Sequence, residues 1–171
     1  MIDYRHMKLS EIGRIAEIDR TEYVTKAYQQ NGSELDLIDV EWDIRHWSVQ
    51  DQLKEWDKYL QADCVLWGAF DGDLLAGFCG YRPNIAPRMG QFALLYVSAP
   101  YRRQGIGRKL AEMLLEYAKE KQVVRLYLTA EHTRGTIEFY RSLGFQPTDK
   151  PLPELLKMEP EDIHMIMEIP L

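Results

Sequence analysis

The sequence predicts an α/β or α+β domain with a mixed sheet, and three observations lead to that fold class. Its 171 residues are 46% hydrophobic and 28% charged, a composition typical of globular chains. Within residues 64–98, short apolar segments separated by turn signals indicate an antiparallel sheet. After residue 98, helical and strand patterns alternate, which adds α/β character. A chain of this length buries about two thirds of its unfolded surface, so we expect a single domain over residues 1–171.

The first 63 residues are expected to hold one strand and two helices around a less regular segment. Apolar residues at helical spacing predict the first helix, with Ser10 as its N-cap, and Ser48 is the N-cap expected for the second. The expected elements are a strand at 1–6, a helix at 9–19, a turn at 32–33, a partly alternating stretch at 35–42 and a helix at 48–61.

Residues 64–169 give stronger periodic signals. An Asp-Gly-Asp turn at 71–73 joins the first two strands, and Gly144 is the expected C-cap of the last helix. The alternating final strand either pairs across a homodimer or closes the sheet. The expected elements are strands at 64–70, 74–81, 91–97, 123–130 and 162–169, a short strand from Phe145, helices at 106–121 and 133–142, and loops at 83–90 and 147–160.

Charge and composition exclude several functions. The net charge of −6 argues against nucleic acid as a partner, because duplex binding needs a continuous basic surface. There is no uncharged span of 18 residues, so we expect no membrane segment and a cytoplasmic protein. Cys64 and Cys79 lie in apolar strands without metal-ligand spacing, and we interpret them as buried free thiols and expect no metal.

The stretch at 97–110 carries an unusual charge pattern for the start of a helix. A helix N-terminus bears about half a positive charge, so clustered cations there indicate a bound anion such as phosphate. A Walker loop is excluded because Gly107 is not followed by Lys-Ser/Thr, and the dinucleotide fingerprint because position 110 is Leu. An Arg-x-x-Gly-x-Gly loop for a pyrophosphate remains, against the alternative of a plain surface turn. The four cations are Arg102, Arg103, Arg108 and Lys109.

Two segments resemble one known family. The run LLYVSAPYRRQGIGRKL is similar to the acetyl-coenzyme A binding motif of the GNAT superfamily of N-acetyltransferases, and TRGTIEFYRSLGF is similar to its second motif. The resemblance covers residues 64–146, about half of the chain. It implies a mostly antiparallel sheet with a splayed central strand pair, flanked by helices.

The resemblance also implies how acetyl-coenzyme A would bind. The pantetheine arm would lie along the strand that ends at Val97, and the pyrophosphate would contact main-chain N–H groups of the glycine loop. Thr133 stands where many relatives have an asparagine, and Thr136 where they have an alanine. The implied donor-site residues are Leu95, Tyr96, Val97, Arg102, Arg103, Gln104, Gly105, Ile106, Gly107, Arg108, Thr133 and Thr136.

Tyr140 is the catalytic residue that the resemblance implies, as general acid for the departing thiolate. The other interpretation is a core aromatic, since its helix has one apolar face. A general base is harder to assign, because the strand at 91–97 carries no carboxylate. Glu22, Tyr23 and Glu131 are candidates on the substrate side, and a water relay would need none of them.

The acceptor is expected to be a small primary amine. Residues 31–63 hold nine acids against three bases, so they either attract a cationic amine or form a solvated face. Trp42, Trp47 and Trp56 either stack against the substrate or anchor the core. The leading function is acetyl transfer from acetyl-coenzyme A. Alternatives are a coenzyme A sensor without turnover, an acetyltransferase for protein lysines or N-termini, and a partner-binding domain.

Overall fold

Strands dominate the computed structural model, which describes residues 1–45, 48–60 and 63–170. Its described residues contain two 3-10 helices, Leu9–Glu17 and Ala99–Tyr101. The strands are β1 (Ile2–Met7), β2 (Glu22–Asn31), β3 (Glu34–Ile44), β4 (Val65–Asp71), β5 (Leu74–Ala86), β6 (Met89–Val97), β7 (Arg125–Ala130), β8 (Gln146–Pro147) and β9 (Ile163–Glu168). The α-helices are α1 (Val49–Leu60), α2 (Ile106–Glu120), α3 (Arg134–Leu143) and α4 (Pro153–Met158).

The main sheet has the order β1-β4-β5-β6-β7-β9-β8 and opens between its central strands. β6 and β7 are parallel, and they pair only where Met89–Gln91 faces Arg125–Tyr127. Beyond that point β6 continues to Val97 and β7 to Ala130 without pairing to each other. The other strand pairs of this sheet are antiparallel. The mixed, mostly antiparallel sheet with a splayed central pair is therefore confirmed.

Helices cover both faces of the sheet because neighbouring side chains of a strand point to opposite faces. In β4, Trp67 packs in the cluster that contains Leu110 of α2. Its neighbour Leu66 packs in a second cluster with Ile15 of the first 3-10 helix and Trp56 of α1. These two clusters fix the central strands and hence the opening between them.

The segment at 22–44 forms a hairpin that stands apart from the main sheet. β2 and β3 pair antiparallel around the turn at 32–33. The Tyr28 N–H donates to the His132 carbonyl oxygen over 2.8 Å, and Ala27 forms a bridge with Thr133. The hairpin is thus fastened beside the N-terminus of α3.

The N-caps predicted for the first two helices have different outcomes. The first helix is 3-10 rather than α, and Ser10 is not its N-cap. The Glu11 carboxylate instead accepts from the Lys8 N–H over 2.9 Å and pairs with Arg5. The Ser48 cap is confirmed, since its hydroxyl accepts from the Asp51 N–H over 3.1 Å.

Two predicted loops contain regular structure. β5 continues through Pro83 to Ala86. Its pairing with β6 is irregular between Arg82 and Ala86, and a proline, which has no N–H to donate, can be accommodated there. The segment at 147–160 contains α4, in which Pro153 is the first residue and begins the helix instead of breaking it. β9 lies between β7 and β8, so it closes the sheet within one chain.

The strand at 145 is short, with only Gln146–Pro147 in β8. Gly144 has a φ of +107° and caps α3, as expected for a residue without a side chain. Among the described helices, none has both the length and the apolar character for crossing a bilayer. The predicted end of α1 at Gln61 lies outside the described residues.

Candidate active site

A cavity of about 550 Å³ occupies the opening between β6 and β7. One end is formed by the C-terminal half of β6, the glycine loop and the first turns of α2 and α3. The other end is formed by the entrance to the β2–β3 hairpin, the last turns of α1, and the segments at 129–131 and 159–162. Its volume is in the usual range of small-molecule sites.

The glycine loop presents main-chain N–H groups to this cavity. Arg103 and Gly105 have φ values of +65° and +83°, so the chain turns twice through the left-handed region before α2. The first turn of α2 has no acidic residue and no side-chain N-cap, which leaves its N–H groups for an anion. The predicted donor-site residues that line the cavity are Leu95, Tyr96, Val97, Arg102, Arg103, Gly105, Ile106, Gly107, Arg108 and Thr136.

Arg102 organises the loop through main-chain acceptors. Its guanidinium donates to the carbonyl oxygens of Val97, Thr21 and Asp19 over 3.0, 2.9 and 3.2 Å. These bonds join the end of β6 to the segment before β2. The Gln104 side chain donates to the Pro100 carbonyl oxygen and does not line the cavity.

Thr133 is placed as the N-cap of α3. Its hydroxyl oxygen accepts from the Thr136 N–H over 3.3 Å and donates to the Thr136 hydroxyl over 2.8 Å. The side chain is 3% exposed and is not part of the cavity lining, whereas Thr136 is. Thr133 therefore positions Thr136.

Tyr140 lies in α3 and lines the same cavity while it also packs in the core. Its ring makes edge contacts with Phe92 and Phe145, and the residue is 7% exposed. Burial and, to a smaller extent, the neighbouring groups Tyr96 and Glu131 raise the pKa of its hydroxyl. A phenol in this state is protonated at neutral pH, so its O–H can act as a hydrogen-bond and proton donor.

Four carboxylates line the opposite end of the cavity: Glu22, Glu131, Glu159 and Asp162. Arg20 lies 2.7 Å from Glu131 and stacks over the Tyr96 ring at 4.6 Å. Glu159 is 2.5 Å from the Lys58 ammonium and accepts from the Tyr59 hydroxyl over 2.6 Å.

Asp162 has a carboxyl group with a raised pKa. Burial, followed by the charges of Glu159 and Glu131, raises its pKa from 3.8 to about 6, against the lowering effects of His132 and Thr129. Perturbed carboxyl groups in a cavity are typical of catalytic sites.

Other substrate-side predictions fall in different places. Tyr23 is 63% exposed and lines a shallow groove beside the cavity. Trp56 lines the cavity and is fully buried, so it serves as core anchor and wall, whereas Trp42 is 39% exposed on β3. Trp47 lies outside the described residues. None of the acids at 31–63 whose side chains are described lines the cavity.

Sequence reasoning missed Glu159, Asp162, Tyr59 and Thr129. The available signal was weak: Asp162 opens the alternating last strand, directly after the proline-rich segment. Only the register of Ile163 with Ala130 brings that position to the open end of β7.

Comparison with known proteins gives one consistent family. The chain matches the model of the acetyltransferase (GNAT) family over residues 22–145. An uncharacterized N-acetyltransferase of Methanocaldococcus jannaschii is 35% identical over 71 residues, which are 40% of this chain and 31% of that relative. The chain thus spans about a third of that relative's length.

Two solved structures share the fold. A putative streptothricin acetyltransferase from Bacillus anthracis, in complex with acetyl coenzyme A, aligns with a TM-score of 0.74 and 17% identity over 99% of both chains. The ribosomal-protein-S18-alanine N-acetyltransferase from Escherichia coli aligns with a TM-score of 0.64 and 17% identity, over 100% of this chain and 96% of that one.

Proposed function

Because the chain belongs to the acetyltransferase (GNAT) family, we propose that it transfers an acetyl group from acetyl-coenzyme A to the primary amine of a small molecule. The observation that carries the proposal is one cavity that joins an anion-binding loop to a carboxylate-lined end. Donor and acceptor would meet between β6 and β7, next to Tyr140. The free thiols of Cys64 and Cys79 suit the reducing cytoplasm, where we place the reaction.

The donor would occupy the β6 side of the cavity. The edge of β6 that faces β7 makes no ladder with it after Gln91, so main-chain groups along Leu95–Val97 are available to the amides of a pantetheine arm. The pyrophosphate would accept hydrogen bonds from the N–H groups of Arg103 to Arg108. A pyrophosphate bound in this way would explain why cationic side chains can surround the N-terminus of α2.

Tyr140 would act as the general acid. The amine attacks the thioester carbonyl, and the carbon–sulfur bond then breaks to give a thiolate. The buried phenol stays protonated until that thiolate forms beside it, and proximity offsets its raised pKa. A main-chain N–H near Val97 would stabilise the intermediate oxyanion.

The walls of the acceptor end favour a small amine over a protein. Trp56 and Tyr59 of α1 and the entrance to the hairpin stand around it, and a folded substrate would have to pass between them. Among the proteins of the same fold, the Bacillus anthracis protein is named as a putative acetyltransferase of streptothricin rather than of a protein, whereas the ribosomal-protein-S18-alanine enzyme supports the alternative of a protein substrate.

Calorimetric titration with acetyl-coenzyme A, followed by thiol-release assays with small amines and N-terminal peptides, tests the proposal. We expect micromolar donor binding and amine-dependent thiol release. Donor binding without release for any acceptor would indicate the sensor instead, and faster release with peptides would indicate a protein acetyltransferase. Absence of donor binding would reject the whole assignment.

A further inference from the structure

The carboxylates at the acceptor end differ in what they can do for a substrate. We propose that Asp162 is the general base, which takes a proton from the substrate ammonium before the amine attacks. The inference rests on the proposed acetyl transfer and adds a catalytic residue to it. Position, charge pairing and protonation state each support it.

Position comes from the strand register. Asp162 directly precedes β9, whose first residue Ile163 pairs with Ala130 at the end of β7. This pairing holds Asp162 at the open end of the splayed strands, where the residue lines the same cavity as Tyr140. The two residues are near enough for the carboxylate charge to contribute to the raised pKa of the Tyr140 hydroxyl.

Charge pairing separates Asp162 from the other carboxylates of the cavity. Glu131 is 2.7 Å from Arg20, Glu159 is 2.5 Å from Lys58, and Glu22 is 4.0 Å from Arg102. Within the described part of the chain, Asp162 makes no ion pair with a lysine or an arginine. An arriving ammonium can therefore pair with it without displacing a cation.

The protonation state suits a base at neutral pH. With a pKa of about 6, the carboxyl is mostly ionised at pH 7, yet it binds a proton about a hundredfold better than an ordinary aspartate. The groups that face it are Glu159 beyond α4, Glu131 and His132 beyond β7, Thr129 in β7, and Tyr140 in α3. A fixed and partly desolvated carboxylate of this kind therefore favours the transfer of a proton from a neighbouring ammonium.

The protons balance in four steps. Asp162 takes one proton from R–NH₃⁺, and the neutral amine forms the carbon–nitrogen bond with the thioester carbonyl. The tetrahedral intermediate collapses, the carbon–sulfur bond breaks, and the Tyr140 hydroxyl protonates the thiolate. The second proton leaves the nitrogen and restores Tyr140. Asp162 releases the first proton to solvent, so one H⁺ is produced for each amide.

The test compares wild type with Asp162→Asn and Asp162→Glu, using the best amine from the thiol-release assay. Asp162→Asn should lower kcat by about a hundredfold or more at pH 7. Its rate should rise with pH as the free amine itself loses its proton, whereas the wild-type rate should fall only below about pH 6. Asp162→Glu should recover part of the rate. Calorimetry should give an unchanged Kd for acetyl-coenzyme A in both variants.

Two results would overturn the assignment in distinguishable ways. If wild type turns over and Asp162→Asn keeps its kcat within about threefold, with the same decline below pH 6, then Asp162 is not the base, although the acetyl transfer stands. If wild type releases no thiol with any amine, the proposed function fails and the base fails with it. The exposed Asp36, on the outer face of β3, gives the matched control Asp36→Asn, which should leave the pH profile unchanged.

Discussion

Removal of the Asp162 charge should stabilise the protein, although it should abolish most of the activity. The carboxyl pKa rises from 3.8 to about 6 on folding, and one pKa unit corresponds to about 1.4 kcal/mol, so the ionised carboxylate costs the fold up to about 3 kcal/mol at pH 7. Because the side chain is only partly buried, solvent screening reduces this cost to about 1–2 kcal/mol. Asparagine carries no charge and so relieves the repulsion from Glu159 and Glu131.

The sign of the pH dependence follows from the raised pKa. The cost is complete above about pH 6, declines between pH 6 and pH 3.8, and disappears below that range, where the carboxyl is protonated in both states. Thermal unfolding should therefore give Asp162→Asn a Tm about 2–6 °C above wild type at pH 7.5 and less than half that gain at pH 4.5. Asp36→Asn, at an exposed position, should shift Tm little at either pH. A variant that is no more stable than wild type at pH 7.5, or a gain independent of pH, would refute the reasoning.

Four further predictions concern the donor end and the thiols. Tyr140→Phe should lower kcat by about 10- to 100-fold and leave the Kd for coenzyme A nearly unchanged, as measured by thiol release and calorimetry; equal turnover would remove this residue from the mechanism. Gly105 has a φ of +83°, so Gly105→Ala should lower the free energy of unfolding by about 1–2 kcal/mol, as measured by thermal unfolding, and should weaken donor binding. An unchanged free energy of unfolding together with an unchanged Kd for the donor would contradict a strained loop. Arg102→Ala loses bonds to three main-chain carbonyls and should destabilise the fold by about 2–3 kcal/mol, with Arg102→Lys intermediate; a change below about 0.5 kcal/mol would count against that role. Burial raises the pKa of Cys64 to about 12, so thiol reagents at pH 8 should label it about three orders of magnitude more slowly in the folded protein than in denaturant.

The central sheet could be predicted from the sequence because its strands are buried and their signals are local. A few neighbouring residues determine each of these elements: the Asp-Gly-Asp turn, the Gly144 cap and the apolar strands around them. The β2–β3 hairpin gave little signal because much of it faces solvent: Leu37 and Trp42 are 46% and 39% exposed. Prolines misled the prediction, since Pro83 lies at an irregularity of β5 and Pro153 begins α4.

The two ends of the cavity also differ in how close together their residues lie in the sequence. The end of the cavity proposed for the donor is lined by a nearly continuous segment from Leu95 to Arg108, so the spacing of its glycine loop and the resemblance of the surrounding run could indicate it from the sequence. The acceptor end brings together residues at 22, 131, 159 and 162, which approach each other only after the sheet has formed. The family model ends at residue 145, before two of those four positions.

The distribution of charge along the cavity suggests how binding and release are balanced. Arginines surround the glycine loop at one end of the cavity, and the four carboxylates stand at the other, so the proposed anionic donor and cationic amine would be drawn to opposite ends. In the proposed reaction, acetylation would convert the ammonium into a neutral amide, which would no longer pair with Asp162. If the acceptor is a cationic amine, Asp162 would attract the substrate but not the product, and acetyl transfer itself would remove this electrostatic contribution to acceptor binding. A neutral analogue of the product should accordingly inhibit weakly compared with a non-reactive cation of the same shape.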